Sequence, residues 1–141
     1  MGRVINNNTP GKQRNAMMRT IAEILRRLGQ RNGEINDDVR DMTAMIVFCL
    51  REIDDSIIET IKAWEKRGYW QKADKFQLEW MWSEQYAKQL DKLIREEQWE
   101  QLPEIMMKLF PHFADIEVKK MTRDPSEWEG AHEKLLEEDP I

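Results

Sequence analysis

A single cysteine is all the thiol chemistry this sequence holds. Cys49 cannot form an internal disulfide, and it cannot build a cysteine-based zinc cluster. Its setting, "IVFCL", reads as a buried inert thiol rather than a nucleophile. Histidine is almost as scarce, with only His112 and His132 able to act as an imidazole base. The six glycines build no phosphate loop. "RRLGQRNGEIN" has two, but no strand precedes it and no Lys-Ser/Thr pair follows it. Long apolar runs are also missing. The longest, near residues 44–50, is far short of the ~20 residues a membrane span needs. "MGRVINNNTPGK" has no apolar signal region, and its Met-Gly start has Asn6 where a myristoylation pattern wants Ser or Thr. The expectation is a cytoplasmic protein with no membrane partner.

What the sequence does have is helix. The chain is 40% hydrophobic and 35% charged, and its only strand-like stretch is the short "ADIEV". A first helix starts at Thr9–Pro10, where Thr9 can cap and Pro10 has no N–H to waste. Its apolar stripe is Met17, Ile21, Ile24 or Leu25, and Leu28, and Gly29 and Gly33 close it. A second helix starts at Asn36, with Asp37 and Asp38 at the positive end of its dipole. Val39, Met42, Ile46, Cys49/Leu50, Ile53, Ile57, Ile61 and Trp64 keep one face apolar as far as Gly68. About 30 residues at 1.5 Å each make it roughly 45 Å long. Within it "AMIVFCL" (44–50) is apolar all round, so neighbours should enclose it on several sides.

The third helix, about 71–97, carries two stripes. Ala73, Phe76, Trp80, Ser83, Ala87, Leu90 and Ile94 form the first; Leu78, Trp82, Tyr86 and Leu93 form the second. Trp80 and Trp82 point roughly 200° apart, so one neighbour cannot cover both. A fourth helix is read from "WEQLPEIMMKLFPHF", ended or kinked by Pro111. After a linker, Asp124–Pro125 opens a short fifth helix bearing Trp128, Ala131 and Leu135. Short connections make consecutive helices antiparallel. The expected fold is therefore all-α. It is an up-down bundle of four main helices, the second and third long and central, with a short C-terminal fifth. Residues 1–9 are read as a flexible arm, 10–113 as the bundle, and 114–141 as an acidic linker and short helix.

No catalytic set emerges, and no metal or cofactor is expected. Glu129 and His132 give a single Glu-x-x-His, whereas a di-iron bundle needs two on facing helices. Glu52, Asp55 and Glu59 share a face of the second helix. They are the strongest candidates for holding Mg²⁺, yet the third helix offers only the single acids Glu79 and Glu84. The aromatic stretch 63–82 ("AWEKRGYWQKADKFQLEWMW") has four bases and three acids, too little net charge for a phosphate surface. Most of its rings read as clamps of a helical hairpin.

Charge supplies the other lead. Residues 1–33 hold seven basic residues and one acid, although the whole chain is at −5. Lys12, Arg14, Arg19, Arg26 and Arg27 are thus candidates for contacting an RNA or DNA backbone, as arginine forks suit phosphate. The competing reading pairs this helix with acidic segments of the same chain or of a partner. The sequence accordingly supports a non-catalytic helical interaction subunit. It would self-associate or dock into a larger protein assembly through the apolar faces of its long helices, with Leu78, Trp82, Tyr86 and Leu93 as interface candidates. The alternative is a small nucleoprotein subunit that uses the basic arm and first helix.

Overall fold

The computed structural model describes residues 9–31 and 33–141; Arg3 and the rest of the expected arm before Thr9 lie outside the described residues. The protein is all-α, with α1 (Pro10–Gly29), α2 (Asp37–Lys66), α3 (Trp70–Arg95), α4 (Leu102–Leu109) and α5 (Ala131–Glu137). Both expected caps are present. Thr9 Oγ1 accepts the Lys12 N–H (3.2 Å) and Asn36 Oδ1 accepts the Val39 N–H (2.9 Å). Gly68 turns α2 into α3 with φ of 80°, a conformation that costs a side-chain-bearing residue about 1–2 kcal/mol.

The bundle is organised around α2, against which α1, α3 and α5 all pack. That explains the residues 44–50 that are apolar all round. Ala44, Ile46, Val47, Cys49 and Leu50 are buried, and Met45 and Phe48 are half-buried against the same core. The first stripe of α3 faces α2 as its spacing predicts, with Ala73, Ser83, Ala87, Leu90 and Ile94 buried.

The last third of the chain departs most from expectation. The fourth helix is only eight residues, preceded by a 3₁₀ turn (Trp99–Gln101) and followed by another (Phe110–Phe113) around Pro111. The fifth does not begin at Asp124. Pro125–Glu127 is a single 3₁₀ turn, and Gly130, at φ 81°, breaks the path before α5 starts. The α5 start is instead capped across the fold. The Asp41 carboxylate of α2 accepts the N–H groups of Gly130 (3.2 Å) and His132 (3.0 Å).

Residues 114–141 pack onto the bundle. Trp128, Ala131 and Leu135 belong to the same core as α1 and α2. Trp128 is buried, donates its indole N–H to Asp38 (3.0 Å) and lies beneath the Arg27 guanidinium (5.2 Å). Trp128→Ala should therefore cost about 3–5 kcal/mol, measured by urea unfolding.

Candidate functional site

The arginines of α1 are engaged within the chain. Arg19 donates to the carbonyls of Glu117 (3.1 Å) and Lys120 (2.6 Å), Arg26 to that of Val118, and Arg27 to that of Arg123 (3.1 Å). Arg14 faces the long hairpin instead. Its guanidinium lies over Phe76 (5.1 Å) and Trp80 (5.4 Å) and donates to Ser56 Oγ (3.2 Å). Of the five basic candidates only Lys12 has a side chain with no hydrogen-bond or ion-pair partner among the described residues. The basic helix does lie against the acidic tail, but through main-chain carbonyls rather than acidic side chains.

The anchor of that contact is the one acid among residues 1–33. Glu23 is fully buried, and its carboxylate accepts from Arg19 Nε (2.7 Å), Thr122 N (2.6 Å), Thr122 Oγ1 (2.6 Å) and Arg123 N (2.8 Å). Burial alone would raise its pKa; these donors outweigh it and hold the group at about 2. Arg123 completes the clasp, donating to Thr20 Oγ1 (3.0 Å) and the Ala16 carbonyl (3.3 Å). As a result α1 is buried on every side from Thr20 to Leu25, where the sequence showed one stripe. The sequence signal was available: an isolated acid in a basic amphipathic helix, flanked by apolar residues.

The second stripe of α3 divides into three. Leu93 is 1% exposed and belongs to the core, so it has no surface to offer a partner. Trp82 and Tyr86 are half-buried under the 3₁₀ turn after α4. His112 stacks on Trp82 (4.2 Å), Phe113 meets it edge-on (5.6 Å), and Tyr86 lies 5.9 Å from His112. Burial lowers the His112 pKa. Leu78, one turn before Trp82, is 72% exposed.

Leu78 has company that the sequence reading missed. Trp70 and Met81 lie within about 80° of it on α3, and Ile58 of α2 is also exposed. From Ile58 to Trp82 only Ala73 is buried. The outer part of the α2–α3 hairpin is thus sparsely covered, touched by Arg14 of α1 at Phe76 and Trp80 and clamped by Trp64 against Phe76 (4.9 Å).

Glu52, Asp55 and Glu59 are all exposed, and among the described residues no three of His, Cys, Asp and Glu gather to hold a metal ion. Burial pushes the Cys49 thiol up to about 12. No helix of the described residues is long and apolar enough to cross a membrane. Comparison with known proteins finds no matching family model, no matching curated protein and no matching solved structure.

Two expectations follow. Glu23→Gln removes the charge and puts an amide N–H₂ against two of the four donors, and should cost about 2–4 kcal/mol at pH 7 in urea unfolding. The wild-type Glu23 binds fewer protons folded than unfolded, so its contribution fades as pH falls from about 4.5 to about 2. The gap between wild type and variant should shrink over that window. Separately, Cys49 should react with a thiol reagent at pH 8 only as fast as the protein opens, and at once in denaturant.

Proposed function

We propose that this protein is a non-catalytic helical interaction subunit. It joins copies of itself, in a cytosolic setting, through the outer part of its two long helices. The observation that supports this is the apolar set on the open hairpin: Leu78 (72% exposed), Trp70 (59%), Met81 and Ile58. Trp70, Leu78 and Met81 lie on one side of α3, Ile58 is exposed on the neighbouring helix, and exposed apolar surface of this kind marks interaction sites. The expected interface thereby shifts along α3, away from Trp82, Tyr86 and Leu93 and toward Trp70 and Met81. Helical pairing of this kind needs neither metal nor cofactor.

Backbone binding through α1 has less support. Arg19, Arg26 and Arg27 would first have to leave the carbonyls of residues 117–123.

Light scattering across a concentration series should show a dimer or larger species. Leu78→Glu combined with Met81→Glu should convert it to monomer with little change in melting temperature, because both side chains are already exposed. A wild-type protein that stays monomeric at every concentration would overturn the self-association.

A further inference from the structure

At the end of the bundle opposite Gly68, a cleft opens between the last turn of α1, the connection to α2, and α4. It holds about 520 Å³, within the ~300–1,000 Å³ of small-molecule sites. Leu25, Leu28, Ile35, Val39, Leu102 and Met106 make its walls, all buried or half-buried. Met107, 77% exposed, and Phe110 stand beside it.

The charges around this cleft do not balance. Arg31 lines it but is paired with Asp38 (3.1 Å). On the bordering helices Asp37 is paired with Arg40 (3.1 Å) and Glu104 with Lys108 (3.3 Å). The N-terminus of α2 is met by its Asn36 cap and its two aspartates. Glu34 and Glu100, which also line the cleft, pair with no cation among the described residues. Two unmatched carboxylates over apolar walls focus a negative potential on the opening. The helix ends add no net sign, since α1 carries Arg26 and Arg27 in its last turn and the N-terminus of α4 opens on the same cleft.

We propose that this cleft binds a small amphipathic cation, an alkyl or aromatic body with one ammonium-type head. The walls take the body out of water. Glu34 and Glu100 select the sign of the head, and Trp99 lines the same wall. An acidic ligand of the same shape would meet two like charges.

The test uses the full chain and two probes of equal chain length, decylammonium and decanoate, below their micelle concentrations. Calorimetry should show saturable one-to-one binding of decylammonium, about tenfold or more tighter than decanoate. Glu34→Gln with Glu100→Gln, both exposed positions, should erase the preference while the alkyl chain still binds. Gly29→Phe should block the cleft and weaken binding by about tenfold or more. A Cβ at Gly29 meets no atom within 4 Å, so this variant should fold, as circular dichroism would verify. Methyl NMR should show shifts at Met106 and Met107. Absence of saturable binding, equal affinity for decanoate, or shifts centred on Met81 instead would each overturn the proposal.

Discussion

A carboxylate removed from water must be met by donors or lose its charge. Glu23 is met by four, and three of them come from residues 122 and 123, about a hundred positions along the chain. This clasp accounts for much of the architecture. It fixes Thr122 and Arg123 against α1, which holds the preceding carbonyls where Arg19 and Arg26 can reach them. It also aims the following residues so that Trp128 enters the core between Arg27 and Asp38. α5 then meets α2, where Asp41 caps it and Arg95 donates to the Leu135 carbonyl (2.9 Å). Without the clasp, residues 114–124, which have no regular structure of their own, would have little reason to lie down in one place.

The parts of this fold that are legible in the sequence are those set by local chemistry. The two long helices follow from an apolar period held over many turns and bounded by Asn36 and Gly68. Those signals act within a few residues, so tertiary context did not need to be known. The fourth and fifth helices are present as read but shorter, for a physical reason. Leu102–Leu109 carries the expected apolar face, but Pro111 has no N–H to continue it, and the chain tightens to 3₁₀. Trp128, Ala131 and Leu135 are buried as their spacing suggests, yet only the last two are helical. Trp128 reaches the core from a turn, held by its indole N–H.

The surface was harder to read, because a charged residue's partner is not written beside it. Arg19, Arg26 and Arg27 look like phosphate ligands by type and spacing. Carbonyl oxygens offer the same geometry to a guanidinium fork, and nothing local distinguishes the two. Helical periodicity sets Trp80 and Trp82 on opposite sides of α3, yet both side chains bend toward each other and their rings stack at 5.5 Å; nor can periodicity say how far a covering element extends. The coverage ends between Trp82, met by His112 and Phe113, and the exposed Leu78. The unmatched pair Glu34 and Glu100 could not have been singled out from the sequence, since 27 acids share the chain and their pairings are tertiary.

The molecule therefore has two ends of different character. Around α1, α5 and the central part of α2, buried Glu23 is met by four donors and Trp128 and Leu135 cover the core, with Arg27 Nε the one buried side-chain nitrogen or oxygen left unpaired among the described residues. At the hairpin end, apolar side chains stand on two helices with only Ala73 buried between Ile58 and Trp82. A two-helix segment has too little interior to bury its own apolar residues, because each helix can turn only one stripe toward the other. Lengthening α2 and α3 beyond their neighbours thus exposes apolar area as a direct consequence of geometry. Polar residues at positions 58, 70, 78 and 81 would have removed that exposure with no cost to the core, since none of the four is buried. Their apolar character contributes little to the folding of the single chain. It contributes to stability only when a second surface covers it, which is the physical reason to place the interface there.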